Sequence, residues 1–313
     1  MAGYINWNYF FHAWGFPARF AAIAQVHGCD SCRAQWLASF PEADRTRAAE
    51  AMQLHKEALR MLTFLDQQGF RVHFRFGLFD CNSDGEDIVI GRFYDFTNSR
   101  IHGFADSRIH GFTDSRRDDA QCTLSFLRQQ TPPFLCLADF IRPVNSAGEP
   151  DRIGIFCAAA DEAIEHSYEG EDDYRHLLCQ TLADRLAEAA TERAHQAVRK
   201  HYWGYAATEE LTIPELHAER FQGIRPAVGY PSLPDQSLVF DLDRLIDFSS
   251  IGIHLTEHGA MQPHASTCGL MMAHPQARYF DVGRIGEDQL RDYARRKGRD
   301  PEELRPFLTK NLS

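Results

Sequence analysis

The chain has no excess of positive charge. Its 33 Lys and Arg stand against 44 Asp and Glu, a net charge of -11. This argues against nucleic acid as an electrostatic partner, because neutralising phosphates needs a basic footprint. No apolar run approaches the roughly 20 residues that span a bilayer. The opening Met1-Ala-Gly-Tyr-Ile-Asn-Trp7 has no basic segment running into an apolar core, so no membrane and no export signal is expected, and the expected location is cytoplasmic. There is no G-x-G-x-x-G and no P-loop, which removes the usual phosphate cradles. There is no G-x-S-x-G elbow and no H-E-x-x-H helix either.

What is present reads as globular, with 44% hydrophobic and 25% charged residues. Eight cysteines are scattered through 313 residues, a pattern of reduced thiols rather than a disulfide framework. Cys29-Asp-Ser-Cys32, with His27 nearby, is a C-x-x-C that fits a redox pair or half a zinc site. No second pair completes four ligands and no βαβ pattern surrounds it, so coincidental spacing is the expectation.

Periodicity predicts helices over 42–68, 174–202, 235–247 and 287–297, the last stopped by Gly298. In the first, Ala48, Met52, Leu59, Leu62 and Leu65 are the expected apolar positions. Residues 72–79 and 87–93 alternate around Asn82-Ser-Asp-Gly85 and predict a hairpin. Strands are also expected at 134–141, 152–160, 251–255 and 277–282. Strands and helices do not alternate regularly, and no linker interrupts the chain. One α+β domain over residues 1–313 is therefore predicted. The tandem octads in 99–114, Ser-Arg-Ile-His-Gly-Phe-Ala-Asp and Ser-Arg-Ile-His-Gly-Phe-Thr-Asp, are too few for a solenoid and read as a repeat-bearing surface insertion at about 93–120.

Two places hold candidate ligand chemistry. Glu188 lies on a helical face with Thr181, Asp184 and Thr191, and by itself reads as a solvated glutamate. Gly223-Ile-Arg-Pro-Ala-Val-Gly-Tyr-Pro231 is a stiff loop from which Arg225 and Tyr230 project. One cation and one aromatic on a rigid loop suit a small-molecule site, and suit a structural turn with a paired Arg equally well.

At this loop a resemblance becomes specific. Phe221-Gln-Gly-Ile-Arg-Pro-Ala-Val-Gly-Tyr-Pro231, the preceding Val198-Arg-Lys-His-Tyr-Trp-Gly-Tyr-Ala206 and the later Ala260-Met-Gln-Pro-His-Ala-Ser-Thr-Cys-Gly269 are similar to the activation domain of cobalamin-dependent methionine synthase. Ala273-His-Pro-Gln-Ala-Arg-Tyr-Phe280, Asp292-Tyr-Ala-Arg-Arg-Lys-Gly298, Tyr4-Ile-Asn-Trp7 and Leu137-Ala-Asp-Phe-Ile141 match in order, so the resemblance spans nearly the whole chain.

The resemblance implies a curved α+β domain around a twisted antiparallel sheet with flanking helices, binding S-adenosylmethionine in a shallow groove. It implies a methyltransferase component, incomplete alone, that supports reductive methylation of cob(II)alamin and restores methylcobalamin. The cobalamin would belong to a methionine synthase core or other corrinoid protein acting in trans, and a flavodoxin-like donor would supply the electron. No D-x-H-x-x-G cobalamin signature occurs in this chain. By the same resemblance, Arg225, Pro226, Ala227 and Gly229 hold the ligand, Glu188 faces it, Tyr230 shapes the loop, and Tyr279 and Phe280 line the groove. Asn6 stands where the family has aspartate and Phe280 where it has a second tyrosine. These two departures carry the alternative reading, a binding or scaffold module that kept the fold and lost efficient use of the ligand. No metal site is implied.

Overall fold

The computed structural model describes residues 1–94 and 122–312; the expected repeat insertion lies almost wholly outside them. Helices α1 (Trp7–Ala13), α2 (Asp30–Ala38) and α3 (Glu42–Gln67) come first. Strands β1 (Val72–Asp84), β2 (Asp87–Tyr94), β3 (Cys122–Ser125) and β4 (Asp151–Ala160) follow. Helices α4 (Glu162–Glu165), α5 (Asp173–Ala197), α6 (Ile213–His217) and α7 (Leu238–Ile246) lead to β5 (His254–Leu255), β6 (Met261–Gln262) and β7 (Ser266–Met271). Helices α8 (Glu287–Lys297) and α9 (Pro301–Leu304) complete the order. No helix among the described residues is long and apolar enough to cross a membrane.

The main sheet is a five-stranded antiparallel half-barrel in the order β3-β2-β1-β4-β7. Its curl has a local cause where Phe79 pairs with Phe93 but Cys81 with Ile90, so two steps on β1 face three on β2. A bulge of this kind bends and twists a strand, and Gly91 falls within it.

Both faces of the sheet are covered, and β4 shows the division. Ile153, Ile155, Cys157 and Ala159 face a core shared with Leu238, Leu242 and Phe248. Phe156 and Ala158 alternate with them and meet Phe74, Phe76, Ala194 and Val198 on the other face. The period of two thus splits the strand between the α7 side and the α5 side. A third cluster joins α1, α3 and α5 through Phe10, Phe11, Leu54, Met61, Leu178 and Leu182.

The predicted hairpin, the strand at 152–160 and the long helices stand. Helix α5 starts where Asp172 accepts from the Arg175 N–H at 3.0 Å, and its apolar stripe of Leu178, Leu182, Leu186, Ala189 and Ala190 is buried. It widens into a π turn over Val198–Tyr202.

Several expectations are corrected. In α3 the buried face is Ala48, Ala51, Leu54, Ala58, Met61 and Leu65, while Leu59 is 40% exposed; alanines pack where leucines were expected. The run 134–141 is no strand: Phe134 takes φ 58° and is left 50% exposed, and a capped turn of 3-10 helix at Leu137–Phe140 carries Leu137, Phe140 and Ile141 into the core without a ladder. Residues 277–282 form no strand either, being held by single bonds such as Val282 N–H to the Pro231 carbonyl at 3.0 Å. In 251–255 only His254–Leu255 is extended. Strands β3 and β7 were not anticipated.

Candidate functional site

The loop at 223–231 lies along β7 as an irregular sixth strand. Ile224 and Met272 exchange backbone hydrogen bonds of 3.0 and 2.9 Å, and Leu270 N–H donates to the Pro226 carbonyl at 3.0 Å. Val228 N–H donates to the Cys268 carbonyl at 3.0 Å. These last two bonds flank Ala227, which bridges Gly269. In an antiparallel pair of this type the flanked residue turns its own N–H and C=O away from the partner strand. Ala227 therefore turns its N–H outward, while its carbonyl accepts from the Tyr230 N–H at 3.3 Å. Gly269 permits the approach, since a Cβ there would meet the Pro226 oxygen at 2.2 Å. Gly229 takes φ 85°, a region that favours glycine, and closes the turn that leaves Tyr230 57% exposed.

Helix α5 supplies the facing wall. Arg185, Glu188, Glu192, His195 and Arg199 recur at steps of three and four residues and so share one helical face. Arg225 donates from Nη2 to Glu192 Oε2 at 2.9 Å, with side chains 17% and 12% exposed. Its guanidinium also lies 5.8 Å from the Phe156 ring centroid. Arg185 donates from Nη1 to Glu188 Oε2 at 2.9 Å. Tyr279 Oη accepts from the backbone N–H of Arg225 at 2.9 Å, which ties residue 279 to the loop.

The electrostatics centre on Arg225. Burial raises the carboxyl of Glu188, against the nearby guanidiniums of Arg185 and Arg225. Burial also raises Glu219, against Arg225. The phenols of Tyr230 and Tyr279 are pushed up by burial as well, with Arg225 opposing. His195 is neutral: burial, then Arg199 and Arg225, carry its pKa well below the usual histidine value. Its Nδ1 accepts from Arg199 Nη1 at 2.8 Å, so Nε2 bears the proton.

Several polar atoms on this wall are buried without a protein partner: Arg185 Nε, Glu192 Oε1, His195 Nε2 and Arg225 Nε. An unsatisfied buried polar group costs about 1–3 kcal/mol, so several together call for an explanation. A donor-and-acceptor set is suited to a zwitterionic ligand.

The structure thus brings Glu188, Arg225, Pro226, Ala227, Gly229, Tyr230 and Tyr279 together. Asn6 is the N-cap of α1, its Oδ1 accepting from the Asn8 N–H at 3.1 Å. Its segment packs on α5 through Tyr4, whose hydroxyl donates to Gln196 Oε1 at 2.9 Å. Phe280 is half-buried and packs against the core beside Phe140, ring centroids 6.4 Å apart. Glu192 and Glu219 were missed by sequence reasoning; the spacing from 185 through 188, 192 and 195 to 199 was the available signal for Glu192.

A separate recess of about 340 Å³ is lined by Trp7, Arg33, Met52, His55 and Lys56 among others. It offers no carboxylate, and burial drops its His55 to about 4. It contains none of the residues that the resemblance places at the ligand, so the charged cluster between α5 and the loop at 223–231 is the candidate site.

A curled antiparallel sheet with flanking helices, carrying an arginine-centred cluster of charged side chains beside its last strand, defines a curved α+β module. Residues 1–298 match the family model for the vitamin B12 dependent methionine synthase activation domain, and the chain belongs to that family. It is also similar to the crystal structure of the MetH reactivation domain bound to AdoHcy, at 34% identity and a TM-score of 0.76, over 100% of this chain and 87% of that one.

Proposed function

We propose that this chain binds S-adenosylmethionine in the groove between α5 and the loop at 223–231 and supports reactivation of a cobalamin protein. The observation that carries the reading is the Arg225–Glu192 pair with its leftover donor and acceptor. S-adenosylmethionine has a sulfonium, an ammonium and a carboxylate, a net charge of +1. The cluster contains the guanidiniums of Arg185 and Arg225 and the carboxylates of Glu188, Glu192 and Glu219. When all five are ionised they sum to -1, complementary to the ligand. Arg225 forks the ligand carboxylate. Glu188 and Glu192 face its cations, and the outward N–H of Ala227 supplies a directional donor. Tyr279 and Tyr230 provide aromatic faces for a cation or for adenine. The AdoHcy bound by the similar reactivation domain differs from S-adenosylmethionine by the transferred methyl group, which further supports this ligand class.

Bound S-adenosylmethionine supplies an electrophilic methyl group. With an electron from a flavodoxin-like donor, cob(II)alamin on a methionine synthase core or other corrinoid protein in trans would be reduced to cob(I)alamin, which would accept the methyl group as methylcobalamin and release S-adenosylhomocysteine. This chain's residues hold and orient the donor at an open groove, where a partner's cofactor has access. The test mixes the protein with a cob(II)alamin-loaded cobalamin domain, a reductant and S-adenosylmethionine. Methylcobalamin should form, followed by its absorption spectrum. Tight binding with no conversion on any cognate cobalamin protein would favour the scaffold alternative.

A further inference from the structure

The Cys29–Cys32 segment lies apart from the groove, and the proposed function does not use it. Cys29 is extended, at φ -76° and ψ 153°, and caps α2; its Sγ accepts from the Cys32 N–H at 3.4 Å. The second cysteine falls in the first turn of the helix. His27 precedes them by two residues, and its Nδ1 accepts from the Cys29 N–H at 3.4 Å. The ligand atoms of His27, Cys29 and Cys32 all lie within 4.8 Å of one another. The two sulfurs and the imidazole therefore converge on one point although each side chain is at the surface.

We propose that His27, Cys29 and Cys32 form a mononuclear zinc(II) site with a fourth position open to an exogenous ligand. A tetrahedral zinc has Zn–S of about 2.3 Å and Zn–N of about 2.0–2.1 Å. Such bond lengths place neighbouring ligand atoms roughly 3.4–3.8 Å apart. Ligand atoms within 4.8 Å of one another must close by roughly 1 Å to reach that geometry. Two thiolates and an imidazole select zinc over hard cations such as magnesium and calcium. The N–H bond to Cys29 Sγ is the kind of outer contact that orients a metal thiolate.

The test uses the full chain, reduced and stripped of metal, titrated with cobalt(II) as a spectroscopic probe. A thiolate-to-cobalt charge-transfer band should saturate at one equivalent and be displaced by zinc(II). Cys29→Ser and Cys32→Ser should each weaken zinc binding at least about tenfold, and the double variant should lose the band. His27→Ala should weaken zinc binding and alter the visible cobalt bands. Calorimetric binding of S-adenosylmethionine should be unchanged in all of these surface variants, which also reports that they fold. Absence of the band at one equivalent, or its persistence in the Cys29→Ser/Cys32→Ser protein, overturns the site.

Discussion

Two clusters of buried charge in this molecule are built differently. Near the C-terminus Asp235, 1% exposed, accepts from Tyr293 at 2.6 Å, from Lys297 at 2.8 Å and from the Ser237 N–H and hydroxyl at 2.8 Å each. Lys297 also donates to Ser237 Oγ at 3.0 Å and lies 3.3 Å from Asp241. This network closes on itself. Between α5 and the loop at 223–231, Glu192 and Arg225 also meet in a largely buried pair, yet one atom of each is left over. A satisfied network fixes the fold, because its members have nothing left to offer. An unsatisfied one keeps recognition capacity that stability alone would not favour.

Breaking the closed network should give the largest effect. Lys297→Met leaves a carboxylate buried without its cation and should lower unfolding stability by about 3–5 kcal/mol. Denaturant titration measures this. Affinity of the remaining folded protein for S-adenosylmethionine should hold. If affinity fell with stability, the two clusters would not be separate devices.

Breaking the open network should show in binding. Arg225→Ala should weaken S-adenosylmethionine binding by about 2–3 kcal/mol, the scale of a charge-assisted pair. That is roughly 30- to 150-fold in Kd. Calorimetry giving wild-type affinity would remove Arg225 from the site. In the double variant Arg225→Ala/Glu192→Ala, part of the Arg225 effect should disappear, since removing Arg225 alone also leaves Glu192 uncompensated.

The third effect is smaller and depends on pH. Burial holds the Glu188 and Glu219 carboxyls above their ordinary 4.5, with Arg225 opposing at both. The folded state therefore keeps its protons to higher pH than the unfolded chain. Any stability from this is complete below the unfolded value and is lost as pH rises through the folded one. Ligand binding runs the other way, because a cation prefers the ionised carboxylates. Affinity should rise as pH climbs from 4.5 through the raised values and then level off. The rise should flatten in Glu188→Gln/Glu219→Gln. A pH-independent affinity in the parent protein would separate these carboxylates from the ligand.

The contrast between the clusters also marks what the sequence could show. The hairpin of β1 and β2 and the stripe of α5 were legible, because period two and period 3.6 survive wherever one face is buried. Strand β7 was not, since Ser266-Thr-Cys-Gly-Leu-Met271 alternates weakly and is defined by pairing with β4 and with the loop. The run 134–141 misled because an apolar segment looks alike as a strand and as a buried turn. In the site, Arg225 and Tyr230 stood out between prolines and glycines. Glu192 looked like one more helix acid; its partner is 33 residues away, a distance no local pattern encodes. Phe280 and Tyr279 came paired by the resemblance; the Phe280 ring lies 6.4 Å from that of Phe140, and the Tyr279 hydroxyl accepts from the loop.

The smallest effect sharpens the comparison at Asn6, where the resemblance implies an aspartate. The side-chain oxygen of Asn6 caps α1 by accepting from Asn8. Asn and Asp are nearly equal as N-caps, so Asn6→Asp should leave stability within about 0.5 kcal/mol. Any change in affinity is then electrostatic. An aspartate would bring a negative charge to a ligand with two cationic centres, whereas the asparagine offers a carbonyl and two donors that a cation cannot use. A charged hydrogen bond contributes about 1 kcal/mol more than a neutral one at a partly exposed position. Asn6→Asp should therefore tighten S-adenosylmethionine binding roughly five- to tenfold. The gain should shrink as salt is added, and should vanish for an analogue without the sulfonium and ammonium charges. If Asn6→Asp binds no better at low salt, residue 6 is a helix cap and nothing more. The groove would then be complete with α5 and the loop at 223–231.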